Sequence, residues 1–269
     1  MKWGKVLAVV FGAVVITALG IDAADTMSGS RSTLLGQLVS SQKGTCPSGM
    51  VLLQTVDSTV CIDQFEASAG EDCEIKEPST VEQTAINILD KDCSPASVAG
   101  KSPWTYVLRH QAQSLCAKAG KQLVDSETWY RAALGTPADE SSCNSADVIS
   151  KTGSYESCIS GIGVQDMIGN VWEHVDLSIE NGLFSDGREV AEEGYVYELY
   201  VDGLPRVTTS TPQSVYNKDY FWSDQKGSFV LVRGGFFGSK SDAGIYSAHA
   251  AIGQNFSSQA IGFRCALRL

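Results

Sequence analysis

Residues 166–174 read DMIGNVWEH and carry the most informative pattern in the chain. The glycine turn lies between two acidic residues, whose negative charges repel each other unless a positive group lies between them. Four oxygen donors can converge on one hard cation: a side-chain oxygen of Asp166, the carbonyls of Gly169 and Val171, and the carboxylate of Glu173. Oxygen ligands from a tight turn suit calcium. The stretch therefore predicts a structural calcium site.

The same stretch also fits a role without a metal. In that interpretation Asn170 and Glu173 cap and brace the loop, and Trp172 anchors it in the core. The next residue, His174, is expected to pack or to form a hydrogen bond rather than to bind a metal. The three histidines of the chain, His110, His174 and His249, are too far apart in the sequence to indicate a cluster.

The composition is acidic and globular. The 269 residues have a formal net charge of −11 and a sequence pI of about 4.7. A nucleic-acid-binding protein is expected to carry a basic stripe, and an anionic membrane surface also attracts basic segments. The charge therefore argues against both kinds of partner, and its simplest role is solubility.

The N-terminus predicts export. Residues 1–23 begin with two lysines followed by an uncharged apolar run over residues 6–21, which is typical of a signal peptide or an uncleaved signal anchor. The run is short for a membrane span, which needs about 20 apolar residues, but a membrane tether through residues 6–21 stays open. Residues 24–44 are rich in Ser and Gly and are expected to form a flexible tether. Residues 45–269 would then form one secreted or extracytoplasmic domain.

The eight cysteines agree with export, because an even number suits a disulfide framework. A zinc site is the alternative. It is disfavoured because the chain has no CxxC pair and its histidines lie away from the cysteines. Short loops favour three pairs and leave a fourth: Cys46–Cys61, Cys73–Cys93, Cys143–Cys158 and Cys116–Cys265. The last pair would tie the C-terminus to a central helix.

Two helices are visible in the hydrophobic pattern. Residues 103–120 repeat apolar side chains at the helical period, and Gly120 suits the end of a helix. Asp125 or Ser126 can cap a second helix that ends at Gly135.

Short strands account for much of the rest. They are predicted within residues 50–53, 59–68, 194–203 and 229–235. Residues 69–102 are polar and are expected to form turns. The fold class is therefore α+β, loop-rich and stapled by disulfides.

Four segments, in order, resemble the sulfatase-modifying-factor family, whose members are similar to formylglycine-generating enzymes. They are CIDQFEAS (61–68), PWTYVLRHQAQSLCAKAGKQLVDSETWYRAALG (103–135), DMIGNVWEH (166–174) and RGGFF…IGFRCAL (233–267). The GNVWE and RGG…GFRC parts are the specific ones. The resemblance implies a variant of the C-type lectin fold, the Cys116–Cys265 disulfide and the same four calcium positions.

The sequence departs from the family at its active site. Formylglycine-generating enzymes carry two cysteines shortly after RGG that bind copper and activate oxygen, a task that suits thiolates. In this chain Ser239 takes the first position, and the second falls near Gly244. Neither residue binds copper(I). The sequence therefore predicts that copper and the oxidase chemistry are absent. The isolated histidines also do not match the three-histidine iron site of the family's sulfoxide synthases.

Residues 236–259 have the composition of an adaptable recognition surface. They resemble the variable region of diversity-generating-retroelement proteins, which belong to the same lectin-like family. The candidate ligand contacts are Phe236, Phe237, Ser239, Ser241, Asp242, Tyr246, Ser247, His249, Asn255 and Phe256. The preceding residues Tyr216, Tyr220, Phe221 and Trp222 could frame the same surface, although core packing is favoured for Trp222.

Three functions follow, in order of preference. The first is an exported, non-catalytic protein that binds a protein or glycan ligand through residues 236–259. The second is an enzyme, either an oxidase of the sulfatase-maturation type or another activity on the same scaffold. The third is a structural component of the cell envelope. A lectin-like fold does not by itself imply sugar binding.

Overall fold

The structure is a computed structural model that describes residues 46–54, 58–139, 141–144 and 148–269. The predicted signal segment 1–23 and tether 24–44 lie outside the described residues. The described residues contain three α-helices: α1 (Val81–Leu89), α2 (Arg109–Lys118) and α3 (Ser126–Ala133). The first seven strands are β1 (Met50–Gln54), β2 (Thr59–Asp63), β3 (Ala67–Ala69), β4 (Pro95–Ser97), β5 (Gln122–Leu123), β6 (Trp172–Glu180) and β7 (Leu183–Phe184). The others are β8 (Gly194–Leu199), β9 (Pro205–Thr209), β10 (Tyr220–Ser223), β11 (Ser228–Arg233), β12 (Ala248–Gly253), β13 (Ile261–Phe263) and β14 (Cys265–Arg268).

The described strands form one antiparallel pair, β3-β4, and two larger sheets. The four-stranded one has the order β1-β2-β14-β5, so the last described strand pairs with the second. The larger one has the order β13-β6-β11-β12-β10-β8-β9, with β7 paired to β6. A bulge in β11 between Val230 and Val232 shifts its register against both β6 and β12. The α+β, loop-rich fold class predicted from the sequence is confirmed.

The two predicted helices are present but shorter than expected. α2 begins at Arg109 rather than at residue 103, because Tyr106 has a left-handed backbone and Leu108 is extended. Asp125 caps α3, since its carboxylate accepts a hydrogen bond from the Thr128 N–H at 2.8 Å. Gly120 follows α2 and Gly135 follows α3, and both positions have the left-handed backbone angles that favour glycine.

The prediction of turns alone for residues 69–102 was wrong, because this region contains α1. Both buried residues of α1, Thr84 and Asn87, are polar, whereas the apolar residues Ile86 and Leu89 are exposed, so the hydrophobic pattern does not mark the buried side of this helix. Buried Thr84 accepts a hydrogen bond from the Trp104 indole N–H at 3.1 Å. Buried Asn87 exchanges two hydrogen bonds with the backbone of Ile75.

All four predicted disulfides are present. Cys116–Cys265 joins α2 to β14 across a sequence separation of 149 residues. The eight cysteines of the chain are therefore all paired.

The core has two main parts. The larger lies between the two sheets and α3, around Trp129, Phe221 and Phe184. The second lies where α2 and the segment before it pack against β13, and its centre is Trp104, Leu115 and Phe263. Among the described helices, none is both long and apolar enough to cross a membrane.

Candidate functional site

The motif of residues 166–174 ends in β6, and its Glu173 is fully buried in an ion pair. Arg264 donates to both carboxylate oxygens, with Nε to Oε2 at 2.7 Å and Nη2 to Oε1. The Trp129 indole N–H also donates to Oε2, at 2.7 Å. The negative charge of Glu173 is thus already neutralised by a guanidinium.

The other polar groups of the motif also have protein partners. Asp166 Oδ2 accepts from the Gly153 N–H at 2.6 Å, and burial raises the pKa of Asp166 to about 6. Asn170 donates to Glu66 at 2.6 Å, and the Val171 N–H donates to the same carboxylate at 3.2 Å. Burial, with repulsion from Asp166 and Glu173, raises the pKa of Glu66 well above its usual value.

These contacts do not fit the calcium ion predicted from the four oxygen donors. Glu173 is occupied by Arg264, and the Asp166 carboxyl is turned to a backbone N–H. Within the described ranges, no group of three or more His, Cys, Asp or Glu side chains is placed to hold a metal. The arrangement favours the alternative role, in which Asn170 and Glu173 brace the loop. Calcium binding remains a prediction for a direct metal test.

Residues 236–259 pass through several elements of the structure. They run from a turn at Phe236 through a short 3-10 helix, Lys240–Asp242, and then along β12 to an exposed loop. The ten candidate contacts fall into separate groups along this path. His249 lies on β12, Tyr246 and Ser247 precede that strand, and Asn255 and Phe256 follow it.

His249 belongs to a row of aromatic side chains on the large sheet. This aromatic face consists of Trp172, Tyr195, Tyr220, Trp222 and His249. The His249 ring stacks on Trp222, with 5.7 Å between centroids and 22° between planes. Trp172 meets Trp222 edge-on at 5.8 Å, and Tyr220 lies 5.0 Å from Trp222. Phe236 packs at the margin of this face, against the cluster that includes Trp172.

Strand register explains why these rings share a face. Trp222 pairs with His249, His249 with Val232, and Val232 with His174 across four neighbouring strands. Paired residues of neighbouring strands point to the same side of a sheet. The β6 end of this row is covered, since His174 is buried and its Nε2 contacts the Val107 carbonyl at 3.1 Å. The β10 and β12 end remains partly exposed.

His249 is neutral at physiological pH. Burial lowers its pKa to about 4. Its Nδ1 accepts a hydrogen bond from the Ala251 N–H at 3.3 Å, so the ring proton lies on Nε2. Nearby, the Tyr220 hydroxyl donates to Glu193 at 3.1 Å. Burial raises the pKa of Tyr220, and the charges of Glu193 and Asp242 add to this effect. The Tyr220 edge of the face is therefore acidic.

The residues before β12 form a second group. Tyr246 lies 5.4 Å from the Tyr216 ring and 6.0 Å from the Tyr130 ring. Ser247 is fully buried, and its hydroxyl donates to the Asp242 carbonyl at 2.7 Å. Ser241 and Asp242 are exposed. Ser247 is thus a framework residue, whereas Ser241 and Asp242 are accessible to a ligand.

The two positions that carry cysteines in formylglycine-generating enzymes have other roles here. The Ser239 hydroxyl accepts a hydrogen bond from the Phe236 N–H at 3.0 Å and closes a turn. Gly244 lies directly against the Asp219 carboxylate, whose oxygens would be 2.1 Å and 2.2 Å from any added Cβ. No side chain fits at Gly244 without movement of Asp219.

Sequence reasoning missed part of the aromatic face. Trp222 is partly buried against the cluster around Trp172, in line with the expected core packing, and it also stacks on His249 at the surface. Its neighbour Phe221 is fully buried. The alternation GYVYELYV that contains Tyr195 is the signal that could have placed that ring. Trp172 is 6% exposed, so its anchoring role is correct and its edge contact with His249 is additional.

Comparison with solved structures gives remote similarities. The Major Tropism Determinant U1 variant matches at 16% identity with a TM-score of 0.47, covering 84% of this chain and 54% of the other. PvdO from Pseudomonas aeruginosa matches at 15% identity with a TM-score of 0.43, covering 84% of this chain and 100% of the other. Treponema denticola variable protein 1 matches at 15% identity with a TM-score of 0.39, covering 84% of this chain and 94% of the other. The chain thus spans about half the length of the first of these proteins.

No protein of curated function matches the chain significantly. The sequence of residues 56–269, however, matches the family described as "Sulfatase-modifying factor enzyme 1-like domain". This match covers most of the chain and includes the GNVWE motif, both RGG glycines and the terminal GFRC. The protein therefore belongs to the family of sulfatase-modifying factor enzyme 1-like domains.

Proposed function

We propose that this protein is an exported, non-catalytic binding protein, and that the aromatic face and the adjoining residues 236–246 contact its ligand. One observation carries the proposal: the stacked pair Trp222 and His249 stands partly exposed on the neighbouring strands β10 and β12. Contiguous aromatic side chains at a surface are typical of recognition sites.

The chemistry of the face favours a protein partner. The rings rise side by side from a sheet, and this surface suits an extended contact between proteins. Glu193 and Asp242 make the Tyr220 edge acidic. Charge complementarity therefore favours a partner with Lys or Arg beside an apolar patch. Binding to a glycan instead would show that the polar groups of the face, rather than its rings, select the ligand.

The two family positions and the cysteine pairing argue against the oxidase alternative. A copper(I) site of that type needs two thiolates. Ser239 is used in a turn, and Gly244 has no room for a side chain. All eight cysteines are in disulfides. Four disulfides also indicate an oxidising compartment, which supports export.

Sequencing of this gene and its flanking DNA in several isolates tests the binding face. If the segment is diversified, substitutions will concentrate at fully or partly exposed positions such as Ser241, Asp242 and Phe237. They will be absent from buried Arg233 and Ser247. Substitutions spread equally over buried and exposed positions would contradict the proposal. An invariant segment would remove diversification and leave a fixed binding face.

A direct binding test uses the full chain and peptides selected from a random display library. We expect the selected peptides to be rich in basic and aromatic residues. Trp222→Ala and His249→Ala should each weaken their binding at least tenfold, about 1.4 kcal/mol. Leu89→Ala is the matched control, since this apolar residue is exposed on α1. Peptides that bind all three variants equally would place the binding surface elsewhere.

The alternatives have their own tests. Purified protein supplied with copper should not convert a cysteine-containing sulfatase peptide, and conversion would establish the oxidase. Ordered self-assembly in sedimentation experiments, without peptide binding, would favour the envelope component.

A further inference from the structure

Asp219 lies where the loop before β10 meets the segment that leads into β12. Its side chain is almost completely buried, and Oδ2 accepts a hydrogen bond from the Tyr246 N–H at 2.9 Å. We infer that Asp219 is a pH-sensitive anchor, which holds residues 243–247 in place while its carboxyl is protonated and loosens them when it ionises. Only the effect of this anchor on ligand binding rests on the proposed function, because Tyr246 is a candidate ligand contact.

Close packing brings the backbone of residues 243–247 directly against Asp219. Gly244 lies against the carboxyl group, so the backbone of the segment reaches Asp219 only because residue 244 has no side chain. On the other side, the Asp219 N–H donates to the Tyr216 carbonyl at 2.9 Å. The rings of Tyr216 and Tyr246 meet at 5.4 Å above this junction. One carboxyl group thus joins two loops that carry exposed aromatic rings.

Ionisation of Asp219 is costly at this place. Its Oδ1 is buried and has no hydrogen-bond partner among the described residues. A buried charge without full hydrogen bonding is unfavourable. Asp242, from the 3-10 helix, adds repulsion.

Two effects oppose this cost. The Tyr246 and Ser247 N–H groups favour the charged form, and so does Arg233 on β11. Arg233, however, makes no hydrogen bond with Asp219, because its Nη groups donate to the Ser126 hydroxyl and to backbone carbonyls. Burial prevails and raises the pKa of Asp219 to about 7.

Tyr246 does not titrate in this range, because burial, Tyr130 and the charge on Asp219 raise its pKa above the usual value. Arg233 also donates to the Ile245 carbonyl at 3.2 Å, a contact that does not involve Asp219. The expected change is therefore a local opening of residues 243–247, with the rest of the fold intact.

Amide hydrogen exchange of the full chain, measured from about pH 5.5 to about pH 8.5, tests the anchor without any ligand. After correction for the intrinsic rate, protection of residues 243–247 should fall about tenfold per pH unit from about pH 5.5 and level off near pH 7, where the carboxyl of the closed form is itself ionised. This fall followed by a plateau is the step that the anchor predicts. Asp219→Asn keeps the size and the acceptor but does not titrate, so its profile should show no step. Asp176→Asn, which changes a carboxyl that pairs with Arg109, should keep the step.

A wild-type profile without a step, or a step that persists in Asp219→Asn, would overturn the inference. If Asp219→Asn fails to fold, Asp242→Asn replaces it. Loss of the Asp242 charge should move the pH at which protection levels off to a lower value, and an unchanged value would count against the anchor. Because exchange needs no ligand, a failure of the binding experiments leaves this test unaffected.

Discussion

Arg264 holds both carboxylate oxygens of Glu173, and neither side chain reaches solvent. The two residues are 91 positions apart and come from the two most specific motifs of the family, GNVWE and GFRC. Arg264 also donates to the carbonyls of Asp63 and Gln165. The pair therefore ties β6 to the loop before β14 and to the end of β2.

Loss of Arg264 should be strongly destabilising. Arg264→Met leaves Glu173 buried without its cation, and breaking a buried pair in this way costs about 3–5 kcal/mol. Urea unfolding measures the change in the free energy of unfolding. Arg131→Met breaks a partly exposed pair within α3 and should cost only a few tenths of a kcal/mol. Equal effects of the two variants would contradict the central role of Arg264.

Removal of divalent metal should leave stability unchanged. Because Arg264 already neutralises Glu173, excess EDTA should not shift the melting temperature, and added calcium should not raise it. Differential scanning calorimetry of the purified full chain measures both. A melting temperature that falls with EDTA and recovers with calcium would establish the ion predicted from residues 166–174.

Gly244→Ala should destabilise the fold through a clash with Asp219. The added Cβ meets the carboxylate at 2.1–2.3 Å, and forced overpacking of this kind costs about 1–3 kcal/mol. In an Asp219→Ala background the same change should cost at least ~1 kcal/mol less, which a double-mutant cycle measures. Gly253→Ala is the matched control, because no atom lies within 4 Å of its added Cβ. Additive effects at positions 244 and 219 would rule out the clash.

His174 should make the protein sensitive to acid. Burial lowers its pKa to about 4 from a usual value of 6.5. A base with a lowered pKa in the folded state stabilises the fold above its unfolded pKa, and that stability is lost as the pH falls towards 4. The loss attributable to His174 should reach about 3 kcal/mol.

Comparison with His174→Gln isolates this histidine. Glutamine can still donate to the Val107 carbonyl but does not titrate, whereas Asp219 and other carboxyls titrate in both proteins. Unfolding free energies measured at several pH values should converge for the two proteins as the pH falls. A difference that stays constant with pH would show that His174 is not kept neutral by burial.

Much of the fold was predictable because its signals are local. The Asp125 cap, the glycines that end α2 and α3, and the short disulfide loops all involve residues that lie close together in the sequence. The Cys116–Cys265 pair was predicted by elimination, because these two cysteines remained after the three short-loop pairs. Hydrophobic periodicity did not predict α1, because the buried residues of this helix are the polar Thr84 and Asn87.

The site was less predictable because its contacts join distant residues. The Glu66 carboxylate accepts hydrogen bonds from Asn170 and Val171, which lie more than a hundred positions later in the sequence. The stacking of Trp222 on His249 depends on the parallel pairing of β10 with β12. The cation for Glu173 proved to be a side chain 91 positions later, which the motif itself does not reveal.

The Cys116–Cys265 disulfide has a consequence for biosynthesis. Cys265 follows Cys116 by 149 positions, so its sulfur leaves the ribosome or a translocation channel long after that of its partner. The other three disulfides span 15 to 20 positions and can close soon after synthesis of their second cysteine. A chain terminated before residue 265 would leave Cys116 as an unpaired thiol, which cellular quality control can recognise. The Cys116–Cys265 disulfide thus distinguishes a chain made through residue 265 from a shorter fragment.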